Sequence, residues 1–506
     1  MAKGYGTAGA SKTKRATKGF KAQSGSTRED IDFNNYTLRQ RGRLMYMGAP
    51  IGASAIKTHR TNTIGTGLVL NPHPDAEYLG LTDEQAAAWV RDVKREFNVW
   101  AKRGRACDAT GLNNFYELQQ LMIVSWLSSG DVFALIQRRN PTLNEPYSLR
   151  IKVIEADRCA TKGISSLPSG GRTGRNEKNG NKIYDGVEID KYGMPVAYWF
   201  RNTHPGEATG EATTWSRVEA VGEKTGLPNV LHLMNAERPD QYRGVTYLAQ
   251  AIESVLQINR YTEGEIMAAV IQSFFTAFVT TTDRADEMPF NEVGESEYDE
   301  QASYDPNDYE MGPGQINVMN PGESVDFGSP THPQTGFDTF VKAIATQIGA
   351  ALEIPREILL KEFTASYSAS RGALLEAWKS FKMYRTWFIN DICDPIYEIW
   401  LTEAIALGRI SAPGFFNDRT IKNAWLGAEW IGPSQGQLDP KKEVEAEILA
   451  CQFGFSTYSD SARRLNGSDF ESNISRLRTE IEELKSVQPD ELYTPEEDDD
   501  EEEEPV

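Results

Sequence analysis

From residue 368 to about residue 406 the sequence holds one helical period, and Trp378, Phe381, Tyr384, Phe388 and Ile392 share a broad apolar and aromatic face. So wide an apolar face has to be buried along its length. Pro395 has no amide hydrogen to give, so the helix is expected to bend there. The remainder can supply the packing: 506 residues with ten Trp, 21 Phe and 20 Tyr and 39% hydrophobic content correspond to two to four domains. No stretch reaches the roughly 20 apolar residues of a membrane helix, and residues 1–21 are rich in Gly, Ser and Lys with no apolar segment for secretion. A protein made and used in a cytoplasm, without a membrane partner, is expected. Cys107, Cys159, Cys393 and Cys451 form no CxxC pair, which points to buried free thiols rather than a zinc site or a disulfide framework.

Charge is unevenly placed. The net charge is −20, yet residues 1–43 carry ten Lys or Arg against Glu29, Asp30 and Asp32, while residues 496–504 are nine consecutive acids. Without these two ends the body still carries about −18. A tight nucleic-acid binder needs a basic surface to neutralise phosphates, so DNA, if a partner, must slide.

Along the chain, residues 1–35 read as a disordered basic arm. A helix is expected over 36–64, interrupted near Gly48-Ala49-Pro50, then a strand within 65–74. Thr82 and Gln85 form a capping box for a helix carrying Trp89, Val93, Phe97 and Trp100 on one face. A second apolar helix at 115–128 leads through Ser129-Gly130-Asp131 into a strand at 132–137. Short strands follow at 149–154, 185–190, 197–201 and 230–234, with an exposed loop at 163–181. A helix from Gly244 to about residue 275 would be roughly 45 Å long. Residues 283–310 then hold eleven acids and one Arg, followed by a strand at 315–319. Helix returns at 337–352 and stops at Pro355; after the long helix come a linker around 412–415 and 432–440 and two smaller helices at 441–451 and 471–487.

No carrier of catalysis stands out. Gly222-Glu223-Lys224-Thr225 lacks the register of a phosphate-binding loop. No two of His59, His73, His204, His232 and His332 have the spacing of metal ligands on one helix. Glu188 and Asp190 alternate on a strand expected to face solvent, and Ser366 or Ser368 reads as a helix N-cap rather than a nucleophile. No metal or other cofactor is expected.

Several segments together resemble the lambda-like portal proteins of tailed bacteriophages over nearly all of residues 36–488. They are Arg41-Gly42-Arg43, the run from Asn62 to Leu68, Cys107-Asp108, Ser129-Gly130-Asp131-Val132-Phe133 and Ile154-Glu155-Ala156-Asp157-Arg158. Further on come Asp185-Gly186-Val187-Glu188 with Gly193 and Pro195, the run from Pro239 to Val245, Pro321-Gly322-Glu323, and Tyr367-Ser368-Ala369-Ser370-Arg371-Gly372-Ala373. Gly42 and Gly372 stand where the family commonly has a larger residue.

The resemblance implies an α+β portal fold and a non-enzymatic subunit of a ring, twelve copies in assembled capsids. Its parts would be a wing (36–245 and 368–440), two stem helices (246–275 and 337–355), a clip (276–336), a channel or tunnel loop (356–367), a small helical crown (441–488) and an acidic tail (489–506). It further implies a role in packaging, retention and ejection of double-stranded DNA without sequence specificity, in the virion at a capsid vertex, after assembly in the host cytoplasm. Implied partners are further copies of the chain, the large terminase, a head-tail connector or adaptor, and the major capsid or scaffolding protein. In the channel loop Lys361, Glu362, Phe363, Thr364 and Tyr367 would face DNA or neighbouring loops. In the clip Asp283, Asp286, Glu287, Glu292, Glu295, Glu297, Asp299 and Glu300 would dock basic partners. Two other readings remain: a capsid scaffolding protein that makes no pore, and a metal-dependent nuclease using carboxylate clusters.

Overall fold

The computed structural model describes residues 8, 10–162, 173–207, 212–273, 277–281, 323–327, 336–363, 366–436 and 439–487. The chain divides into two compact units, residues 1–255 with 345–506, and residues 256–344. The expected strand at 315–319 and the acidic run at 283–310 lie outside the described residues.

The larger unit begins earlier than the sequence suggests. A π-helical turn at Arg28–Asp32 runs into α1 (Phe33–Gly48), so helix replaces the last residues of the expected arm. Ile31, Asp32 and Asn35 are buried there, which ties this stretch to the body. Ala49 is extended (φ −114°, ψ 119°), as the residue before a proline prefers, and Pro50 opens α2 (Pro50–His59). β1 (Val69–Pro72) and the single turn α3 (Ala76–Leu79) follow, then α4 (Asp83–Ala101) with both hydrogen bonds of the Thr82–Gln85 capping box. After the turn α5 (Gly104–Cys107) comes α6 (Phe115–Ser129), with a second capping box between Asn114 and Glu117.

Two antiparallel sheets come next. β2 (Asp131–Arg138), β3 (Leu149–Glu155) and β9 (Val230–Met234) form one in the order β3-β2-β9. β4 (Thr173–Arg175), β5 (Lys182–Tyr184), β6 (Val187–Ile189), β7 (Pro195–Arg201) and β8 (Trp215–Glu219) form the other, a meander in sequence order. Phe133, Ile154, Val187, Tyr198, Phe200 and Val230 form the core these strands share. Part of the expected loop at 163–181 is thus a strand and a turn.

α7 (Ile252–Ser273) starts eight residues later than the sequence period suggests. Within the smaller unit, β10 (Ala277–Thr281) and β11 (Glu323–Phe327) pair antiparallel, and Tyr261 stacks on Phe337 at 5.5 Å and meets Phe340 edge-on at 4.7 Å. α8 (Phe337–Ala351) ends close to where Pro355 requires. α9 (Arg356–Leu360) is a short helix inside the segment expected to be a loop.

The long helical pattern is one run in three parts: α10 (Tyr367–Phe388), a π-helical turn at Ile389–Cys393, and α11 (Asp394–Ala406). Pro395 cannot complete the α-helical ladder, and the wider turn just before it is closed by Asp394 N–H on the Ile389 carbonyl. Trp400 and Tyr397 of α11 pack with Phe97 of α4. The linker contains α12 (Arg419–Leu426) and β12 (Ala428–Ile431), which pairs antiparallel with β1 across the sequence. Three helices follow rather than two: α13 (Pro440–Gln452), α14 (Tyr458–Asn466) and α15 (Phe470–Val487). Cys107, Cys159 and Cys393 are buried free thiols and Cys451 is half-buried.

Candidate functional site

The segment 356–367 is a rigid corner in its described part. Gly349 in the last turn of α8 lies so close to the returning chain that a Cβ would sit 2.4 Å from the Ile354 carbonyl oxygen. Ile354 N–H donates to the Gly349 carbonyl at 2.9 Å. Glu353 (φ 52°) and Lys361 (φ 57°) are two of the four non-glycine residues with positive φ among the described residues, and they bracket α9. Such backbone costs on the order of 1 kcal/mol per residue and persists only where its surroundings fix it.

The surroundings do so here. Ile358 and Leu359 are buried, Ser54 donates from its hydroxyl to the Leu359 carbonyl at 2.7 Å, and Glu362 N–H donates to the Glu357 carbonyl at 3.0 Å. The Tyr247 hydroxyl donates to the Leu352 carbonyl and lies 3.0 Å from His59 Nε2. Burial pushes the His59 ring down to about 3, which keeps it neutral in this packing.

Lys361, Glu362 and Phe363 therefore stand on one turn between α9 and α10, with Lys361 and Phe363 exposed, Phe363 at 59%. Ser366 caps α10, its Oγ accepting from Ala369 N–H at 3.4 Å. Thr364 lies outside the described residues, as does the side chain of Tyr367. Asp283, Asp286, Glu287, Glu292, Glu295, Glu297, Asp299 and Glu300 also lie outside them.

A second constellation was not foreseen as a site, although five of the quoted segments supply it. Asp131, at the start of β2, is fully buried and receives Arg243 in a bidentate pair, Nε to Oδ2 at 2.6 Å and Nη2 to Oδ1 at 3.2 Å. Arg243 spends its other hydrogens on the carbonyls of Cys159 and Ala156, both at 2.8 Å, and on Asp185 Oδ2 at 3.1 Å. Arg39 donates to Asp157 at 3.4 Å and to the Ser129 carbonyl at 3.3 Å, and Arg43 pairs with Asp157 as well. Burial would raise the Asp131 carboxyl, but Arg243, a hydrogen bond from His232 and Arg39 hold it well below the usual range. Three aspartates and three arginines thus join α1, β2, the β3 end, the turn before β6 and the strand-to-helix connection at 243–251. The signal in sequence was charge beside glycine at element ends: Arg43, Asp131, Asp185 and Arg243 each lie next to or one residue from one.

This hub has no free reactive group. Burial pushes the Cys159 thiol up to about 12, which removes it as a nucleophile. Beside it Glu155, Asp157 and His204 offer three ligand atoms within 4.8 Å of one another. His204 Nδ1 accepts from Gly206 N–H at 3.0 Å, so the neutral ring carries its proton on Nε2, which faces Glu155 at 3.6 Å and Asp157 at 3.5 Å. A metal would need the lone pair where that proton sits, and Asp157 is already neutralised by two arginines.

Glu188 corrects the sequence reading outright: expected to face solvent, it is fully buried. Asn176, Asn179 and Asn181 donate to it at 2.7–3.1 Å, Trp199 Nε1 at 3.0 Å and Arg217 Nε at 2.9 Å. Burial alone would raise this carboxyl; the bonds from Arg217 and the asparagines bring it down to about 2 from an ordinary 4.5. Its stabilisation is therefore complete above pH 4.5 and lost as pH falls toward 2, a span worth up to about 3 kcal/mol. Unfolding midpoints measured between pH 6 and 3 should fall more steeply for the native protein than for Glu188→Gln; equal slopes would contradict the assignment.

The family described as phage portal protein, lambda family, matches residues 13–385. The chain is 24% identical over 468 residues to a probable portal protein of Halomonas phage phiHAP-1, covering 92% of this chain and 84% of that one. Portal protein B of Escherichia phage lambda is 22% identical over 450 residues, covering 86% and 81%. Among solved structures, the neck of a native gene transfer agent particle computed with C12 symmetry aligns with a TM-score of 0.43 at 15% identity, over 86% of this chain and 94% of that one.

Proposed function

The chain belongs to the lambda family of phage portal proteins, and we infer that it is a subunit of the ring-shaped channel at a capsid vertex through which double-stranded DNA is packaged, retained and ejected. The family match across residues 13–385 carries this reading. The role is structural, with no catalysed reaction and no cofactor, and the assembled protein is part of the virion. Assembly takes place in the host cytoplasm.

The finer assignments belong to the same inference. Residues 36–245 and 368–440 form the wing, and 246–275 and 337–355 the two stem helices around a clip at 276–336. Residues 356–367 form the channel loop, 441–488 the crown, with the basic arm before and the acidic tail after. The rigid corner at α9, which leaves Lys361 and Phe363 exposed, supports the loop assignment. Ring closure repeats an acidic body around the axis, which repels phosphate and lets DNA slide. The clip acids dock the terminase during packaging and the head-tail connector afterwards, while the wing meets the capsid or scaffolding protein.

Purified protein is expected to form closed rings with a central pore in negative-stain images. Monomers or open filaments under every condition would overturn the reading and favour a scaffolding protein without a pore. Replacing Lys361 by Gln together with Phe363 by Ala should cut nuclease-resistant packaged DNA severalfold while rings still form; unchanged packaging and retention would remove the loop from its role. Reversing Glu295, Glu297 and Asp299 to Lys should weaken terminase docking more at low salt than at high salt, and a salt-independent effect would count against an electrostatic dock.

A further inference from the structure

The last three helices of the described chain hold about a quarter of its exposed large hydrophobics. α13 has no buried residue at all, yet Val444, Ile448 and Leu449 on it and Phe453 just after it are each 38–72% exposed. α15 shows Ile474, Leu477, Ile481 and Leu484, each 38–49% exposed. Their steps of three, four and three are the a/d seam of helices that pack side by side. Amphipathic helices of this length draw their stability from burying that face, so each stripe calls for a partner.

α14 takes up neither stripe. It holds α13 through polar contacts, Ser461 donating to Glu447 at 2.6 Å and Arg464 pairing with Glu447 at 3.3 Å. It meets α15 through the stack of Tyr458 on Phe470 at 5.7 Å, and Lys94 fixes Asp469 just before α15 at 3.0 Å. One chain therefore presents two different apolar stripes in a fixed arrangement. A ring closed by head-to-tail contacts requires two different faces per subunit, whereas a two-fold dimer uses one face twice.

The flanking charge is complementary. Glu445 borders the α13 stripe with only a 4.0 Å pair to Lys441, and Arg478 borders the α15 stripe with no carboxylate within 4 Å among the described residues.

We propose that the α15 stripe of one copy seats on the α13 stripe of the next copy around the ring, with Arg478 facing Glu445. The proposal rests on the ring reading above and names an interface for it.

The test uses the full chain with Cys451→Ser, since the other three cysteines are buried. With Ile448→Cys and Leu477→Cys in the same chain, a short bismaleimide should give a ladder from dimer upward to the ring size on a denaturing gel, and each cysteine alone should give monomer. Dimer from Leu477→Cys alone would mean that α15 pairs with itself, and would overturn the proposal. So would the absence of a ladder in a preparation whose micrographs show rings; micrographs without rings even for the unsubstituted protein would instead overturn the portal reading. As a check independent of the cysteines, Glu445→Arg and Arg478→Glu should each lower the fraction of protein in rings, and together restore it. Failure of the pair to restore rings counts against the contact.

Discussion

Arg243→Met should lower the stability of the larger unit by about 3–5 kcal/mol, the usual cost of removing one partner from a buried ion pair. Arg243 is 1% exposed and Asp131 is fully buried, so no water can take over the bidentate pair. The change keeps side-chain bulk but strands the Asp131 carboxylate, leaving it a hydrogen bond from His232 at 3.4 Å and the Arg39 charge at 4.0 Å as side-chain partners. It also removes the donors to the Cys159 and Ala156 carbonyls. Urea unfolding of the purified protein reads this as a lower midpoint. In the double variant with Asp131→Asn the loss should be clearly smaller than the sum of the two single losses, because both remove one interaction. An unchanged midpoint for Arg243→Met would show that the pair is not what aligns these elements.

The second large effect is steric. Gly244→Ala should cost about 3 kcal/mol, at the upper end for overpacking a close-packed interior. A Cβ at 244 would stand 1.9 Å from the Gly130 carbonyl oxygen, and one at 130 would stand 2.4 Å from the Gly244 carbonyl oxygen at a φ of +95°. Two backbones touch there, and neither can retreat without moving Asp131 or Arg243, the residues next in line. Gly42 is crowded in the same way, 2.4 Å from Thr246 Oγ1 and 2.6 Å from the Ser128 carbonyl oxygen. Gly372, by contrast, has nothing within 4 Å inside α10, so Gly372→Ala should gain about 0.5–1 kcal/mol from helix propensity. Thermal midpoints for the two alanine variants should move in opposite directions; a neutral Gly244→Ala would refute the close approach.

Packaging defects from the exposed corner should look different. Substitutions at Lys361 and Phe363 leave the buried contacts of Ile358 and Leu359 intact and should spare stability, whereas the hub variants should fail before rings form. Comparing ring yield with packaged DNA separates the two classes.

The sequence by itself determined the elements whose signals are local. The capping box at Thr82, the break before Pro50, the Ser366 cap and the aromatic run depend on neighbours within about one or two turns, and they appear in the structure where the spacing puts them; the helix expected to bend at Pro395 carries a π-helical turn at Ile389–Cys393. The alternation around Glu188 is local too, but it tells only that the two faces of the strand differ. Both faces are buried, Val187 and Ile189 on one and Glu188 on the other, the latter because Asn176, Asn179, Asn181 and Arg217 arrive from other strands and turns to satisfy the carboxylate. The start of α7 slipped to Ile252 for a similar reason: Gly244, Thr246 and Tyr247 before it are held by Asp131 and Leu127, and a helical period cannot register contacts more than a hundred residues away. Tertiary structure alone likewise brought Arg39, Arg43, Asp131, Asp157, Asp185 and Arg243 together. A buried charge is tolerable only with its partner in place, and a linear sequence shows the charges without showing who meets whom.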